Sequence, residues 1–170
     1  MLVKNIGYTR AMEEDAVDLI VEQWRQERPD LDPSPIAVIG RVSRLARKLE
    51  LELDRVFAQF GISSGDFDVL ATLRRTGAPH ALTPTELCRT MMLSSGGMTK
   101  RLDRLERAKL IRRTPDPADR RGTLVKLTPH GKALVDRAVV AHLANEERLL
   151  ARLSTAERAR LAKLLSELLS

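Results

Sequence analysis

The sequence predicts a mostly α-helical protein interrupted by one short β-hairpin, on three observations. Apolar residues recur at helical spacing along most of the 170 residues. That spacing changes at LIRRT (110–114) and TLVKL (123–127), which alternate like strands on either side of the turn-forming PDPADRRG. Capping signals, Ser-Pro, Thr-Pro or a hydroxyl residue three before an acid, stand ahead of most helical runs.

The elements follow in order. Thr9 can cap a first helix in which Ala16, Leu19, Ile20 and Trp24 share one face. ERPDLDPSP (27–35) breaks that helix and reads as a rigid linker. Ser34, followed by Pro35, caps a long helix with Ile39, Val42, Leu45, Leu49, Leu53, Val56 and Phe60 at core spacing, ending at Gly61. Ser63 opens the next, with Phe67, Leu70 and Leu73 inward and Gly77 closing it. The capping box Thr83-Pro84-Thr85-Glu86 starts a short helix reaching about Met92. Ser94 starts another, SSGGMTKRLDRLERAK, with Met98, Leu102, Leu105 and the stem of Lys109 on one side. After the hairpin, Thr128-Pro129 caps a long helix through about Arg152. A capping box at Ser154–Glu157 opens the last, with Leu161, Leu164, Leu165 and Leu168.

Composition narrows the function. At 43% apolar the chain can close a core, and no apolar run is long enough to span a membrane. The N-terminus lacks an apolar signal core and turns acidic by Glu13, which predicts a cytoplasmic protein. Aromatics at 3% argue against base-stacking platforms. Residues 94–126 hold ten basic side chains against four acidic, while the rest of the chain carries nineteen of each. The whole +6 excess therefore sits in a fifth of the sequence, the footprint of a surface for a polyanion.

Three short helices followed by a hairpin make a winged helix-turn-helix, here over residues 62–127. The flanking long helices (34–61 and 128–170) are too apolar to stand alone and predict a dimerisation region, with 9–33 as an extra helix and linker. The expected partners are double-stranded DNA and a second copy of the chain. On the recognition helix Gly96, Lys100, Asp103, Arg104 and Arg107 oppose the buried stripe, and Ser95 and Thr99 lie to one side near the end that meets bases. Gly96 and Gly97 are poor helix formers, which fits a close backbone approach to DNA. Arg104 or Lys100 suits guanine, Thr99 suits a thymine methyl or a phosphate, and Asp103 is placed to pin Arg104 or Arg107. In the wing, Arg121 suits a narrow minor groove with Asp119 holding it, and Arg120 meets phosphate or folds back on its own domain.

Other chemistry is set aside. Gly61-Ile62-Ser63-Ser64-Gly65 matches G-x-S-x-G, but a helix precedes it where a nucleophile elbow needs a strand, so no enzyme is expected. His80, His130 and His142 lie in different elements, so neither metal nor cofactor is expected. Cys88, on the short helix beside Leu87, reads as a small buried hydrophobe, with thiol-based redox sensing as an alternative. Non-specific, architectural DNA binding is the other alternative.

The stretches FDVLATLRRTG (67–77), LSSGGMTKRLDRLERAKLIRR (93–113) and DPADRRGTLVKLTPHG (116–131) resemble the MarR family of bacterial transcriptional regulators, over roughly residues 35–170. WRQERPDLD (24–32) after an extra helix resembles the PecS/HucR-like branch, whose members respond to urate or related molecules. That resemblance implies a ligand-responsive regulator, more commonly a repressor, with an effector set at Trp24, Asp68, Arg101 and Arg113. It also matches Arg121 and a supporting aspartate to the family's wing. Guanidinium forks and an indole suit a planar anion. Asp68 would then pair Arg101 until the ligand competes for it, shifting the recognition helix off its site.

Overall fold

The computed structural model describes residues 15–91, 95–117, 119 and 122–170. The elements run α1 (Ala16–Glu27), α2 (Ser34–Ala58), α3 (Ser64–Arg75), β1 (Ala81–Leu82), α4 (Pro84–Met91), α5 (Ser95–Arg107), β2 (Ile111–Pro115), β3 (Thr123–Leu127), α6 (Pro129–Leu149) and α7 (Thr155–Leu169). They fall into two compact units, one ending at Glu50 and one from Leu51 to Ser170, with α2 running through the junction.

In the first unit, Asp15 caps α1 rather than Thr9, which lies outside the described residues. The Asp15 carboxylate accepts the amides of Val17 and Asp18, and Asp18 returns the bond to the Asp15 amide. The buried face also differs from expectation: Val17 and Val21 are covered, whereas Leu19, Ile20 and Trp24 are exposed. Gly40 explains the choice, because a Cβ there would stand 3.2 Å from the Val17 Cγ1 atom, so the bare backbone lets α1 settle on α2. Arg41 closes the contact by reaching Asp18 at 2.7 Å and Asp15 at 3.0 Å. Asp32 accepts from the Ser34 amide and hydroxyl, so α2 begins at Ser34 instead of using it as the cap. Along the expected core stripe of α2, Ile39, Val42 and Leu45 are exposed.

The second unit holds one core. Phe57 from the end of α2 stacks on Phe67 of α3 with ring centroids 4.2 Å apart. Leu70, Leu73, Leu87, Leu102, Leu105 and Val125 complete the centre from α3, α4, α5 and β3. The predicted caps form: Ser63 on α3, Thr83 with Glu86 on α4, Thr128 on α6, and Ser154 with Glu157 on α7. Ser94, the expected start of α5, lies outside the described residues. Helix α5 ends at Arg107, short of Lys109, which is exposed in a left-handed turn at φ 58°. The hairpin pairs antiparallel from Ile111 opposite Leu127 to Pro115 opposite Thr123. A strand too short to show alternation, β1, adds to its other edge through Ala81 opposite Lys126, giving the order β1-β3-β2.

Thr128 and Gly131 latch this sheet to α6. The Thr128 hydroxyl donates to the Lys109 carbonyl at 2.7 Å and accepts the Gly131 amide at 2.9 Å. A side chain at Gly131 would run into the Leu110 carbonyl, so the L-T-x-x-G pattern records a close approach of backbones. Helix α7 buries no residue, and no described helix is long and apolar enough to cross a membrane.

Candidate nucleic-acid interface

Helix α5 is held from below by Met98, Leu102 and Leu105, each essentially solvent-free. Anchoring that stripe turns Lys100, Arg104 and Arg107 outward, as its spacing predicts, with Thr99 exposed to one side and Asp103 half-buried. Ser95 and Gly96 form the first turn of the helix. At Gly97 an added Cβ would meet no neighbouring element within 4 Å among the described residues.

The ion pairs depart from expectation. Asp103 pins neither Arg104 nor Arg107; it binds the Nη2 atom of Arg113 on β2 at 2.6 Å, because it flanks the hairpin. Glu106 takes the Arg113 Nη1 atom at 2.6 Å and its backbone amide at 2.8 Å. Burial opposes the charge on Arg113, yet these two carboxylates outweigh it and hold its pKa above the ordinary arginine value. Among the described residues Arg107 donates to the Asp103 backbone carbonyl, at 3.3 Å.

Arg104 is bound by Asp66, a residue missed from the sequence. Its Nη2 and Nε atoms donate to the Asp66 carboxylate at 2.6 and 3.0 Å. The signal was local: Ser63-x-x-Asp66 has capping-box spacing, and the Ser63 amide and hydroxyl both donate to Asp66 Oδ2. Burial pushes the Asp66 carboxyl up, but Arg104 and Ser63 outweigh that and hold it below the usual carboxylate range.

The residues expected to hold an effector divide. Arg101 lies along α3, where its guanidinium occupies the space a side chain at Gly65 would take. No ion pair joins it to Asp68 among the described residues. Desolvation raises the Asp68 carboxyl, and the charges of Arg101, Arg75 and His142 pull it back only in part. The expected direct Asp68–Arg101 pair is therefore replaced by a longer-range attraction. Arg113 is held separately by α5, and Trp24 belongs to the first unit, 47% exposed beside Gln23 and Glu27. An open cleft of about 520 Å³ between α4, α5 and the hairpin is lined by Pro84, Thr85, Cys88, Thr99, Asp103, Arg113 and Thr123 among others. Cys88 is half-buried at its wall, not sealed in the core.

At the wing, the Asp116 amide donates to the Gly122 carbonyl and the Gly122 amide to the Asp119 carbonyl, closing the hairpin turn. Asp119 is exposed there; Arg120 and Arg121 lie outside the described residues.

Comparison with known proteins gives one consistent picture. The sequence pattern of the MarR family matches residues 60–122. The HTH-type transcriptional regulator PecS of Dickeya dadantii is 45% identical over 146 residues, 86% of this chain and 88% of that protein. A mutant MarR from Escherichia coli, solved in complex with operator DNA, superposes with a TM-score of 0.69 at 27% identity, covering 86% of this chain and 98% of that one. AbsC of Streptomyces coelicolor shares the fold, with a TM-score of 0.72 at 24% identity over 78% of this chain and 89% of that one.

Proposed function

The chain belongs to the MarR family of winged helix-turn-helix transcriptional regulators, and on that premise we propose that it is a cytoplasmic repressor, binding a pseudo-palindromic operator as a homodimer and releasing it to a small planar anion. The observation that carries this reading is α5 itself, an apolar-anchored helix whose free face offers Thr99, Lys100, Arg104 and Arg107 within the segment holding the whole excess charge. With Ser95 and Gly96 at its leading end, that face suits the major groove. The wing would reach the flanking minor groove through Arg121, with Asp119 orienting it and Arg120 on phosphate. That mutant MarR of the same fold was solved with operator DNA supports operator DNA as the partner.

Release belongs to the same module. Arg113 lines the open cleft while held by Asp103 of the recognition helix, so an anion taking its guanidinium would leave Asp103 to move. Arg101 on α5, drawn at longer range toward Asp68 on α3, offers a second guanidinium to an anion. The ligand must prefer the non-binding arrangement for either event to lower DNA affinity. Trp24, on the first unit, is the remaining candidate from the expected set and a fluorescent reporter in its own right.

One titration tests the reading. Labelled duplex from the DNA beside the protein's own coding region is bound in the presence of bulk competitor, and urate, xanthine or simple aromatic acids are then added. A regulator prefers its operator by about 10³ or more over bulk DNA. Equal affinity for both duplexes would replace the proposal with architectural binding, and undiminished binding at every ligand concentration would remove the effector from it.

A further inference from the structure

Asp66 is 3% exposed, a position an acid holds only when paired. Its partners come from two elements. Oδ2 accepts the Ser63 amide and hydroxyl at 3.1 and 2.8 Å, completing the first turn of α3. Both oxygens also receive Arg104 of the recognition helix, through Nη2 at 2.6 Å to Oδ1 and through Nε at 3.0 Å to Oδ2 and 3.2 Å to Oδ1. The Arg104 side chain is nonetheless 53% exposed, and among the described residues its Nη1 atom makes no hydrogen bond. One edge of the fork is thus fixed to a buried anchor while the other faces outward.

From this geometry we infer that Asp66 is the positioning residue that presents Arg104 to the operator, an inference that rests on the DNA-binding reading above. The physics gives it a signature. An arginine is a flexible side chain whose ordering costs entropy at the moment of contact, and a bidentate carboxylate removes that cost beforehand. The same carboxylate cancels the arginine's charge, which works against non-specific attraction to phosphate. Asp66 therefore favours the correct sequence while restraining binding to any other, two effects of opposite sign. A residue that only stabilised the fold would move both bindings together.

The experiment measures affinity for the operator and for bulk DNA in the full-length protein, with thermal unfolding as a check on folding. Asp66→Asn is expected to lower the operator-to-bulk ratio by about tenfold while bulk affinity holds or rises. Arg104→Lys, on the exposed side of the pair, keeps the charge but not the fork and should lower the ratio similarly; it covers the case in which Asp66→Asn unfolds. In an Arg104→Ala background, Asp66→Asn should change the ratio no further. Equal losses of operator and bulk binding, a full Asp66→Asn effect without Arg104, or an unchanged ratio in Arg104→Lys each overturn the inference while wild type still discriminates. A wild-type ratio near one instead defeats the operator reading, and this inference with it.

Discussion

Among the described residues, no neighbouring element crowds a side chain at Gly97. It lies within α5, where glycine costs about 1 kcal/mol relative to alanine, and a Cβ there would enter open space. A benefit from outside fits that cost, because the free face of α5 is the surface proposed for DNA. Gly97→Ala should therefore raise stability by up to about 1 kcal/mol and weaken operator binding, so that the two properties move in opposite directions. Thermal melts and binding isotherms on the same preparation decide it, and operator affinity equal to wild type would remove the glycine from the interface. The outward placement of Lys100, Arg104 and Arg107 was legible in the sequence because a helix wheel is a local property. The partners were not: Asp66 is 38 positions from Arg104, and only folding brings α3 beneath α5. Asp103, four residues from Arg107, suggested a local pair that the nearby hairpin pre-empted through Arg113.

At the scale of elements, capping chemistry carried most of the legible structure. Ser63, Thr83, Thr128 and Ser154 each satisfy amides within three residues of themselves, so their helices could be placed without knowledge of the fold. Strand alternation placed β2 and β3 equally well, whereas β1 is two residues long and exists only because β3 offers it an edge. The face of α1 was misjudged for a similar reason: Gly40, on another helix, selects Val17. The latch between hairpin and α6 is the element-level contact that a single atom can break. Gly131→Ala would drive a methyl group into the Leu110 carbonyl, and overpacking of this kind costs typically about 1–3 kcal/mol, more where backbone is the obstacle. The expected result is a lowered unfolding midpoint with weakened operator binding, since the wing hangs from that junction. A midpoint within error of wild type would show that the strand and helix can separate without cost.

The whole molecule leaves apolar surface that its own fold does not use. Helix α7 buries none of its 15 residues, and a helix of that length is marginal in water without a packed face. Leu164, Leu165, Leu168 and Leu169 are exposed along it, the last two at 65% and 89%, with Val140 and Leu143 exposed on α6. Exposed leucines at this density suit an interface, and a second copy of the chain is the partner proposed above. Two subunits related by a two-fold axis read half-sites about 10 bp apart, and the second contact, once tethered, adds affinity without any new residue. Sedimentation should therefore give twice the 19.0 kDa chain mass. Replacing Leu165 and Leu168 by glutamate together should return the single-chain mass and lower operator affinity by about 10² or more, because tethering is lost with the recognition surface intact. The charge concentration that made nucleic acid the expected partner would persist in that variant, so its binding to bulk DNA should change far less than its binding to the palindrome. Wild type sedimenting as a single chain, or a monomeric variant that still grips the full operator as tightly, would mean that one subunit reads the DNA alone.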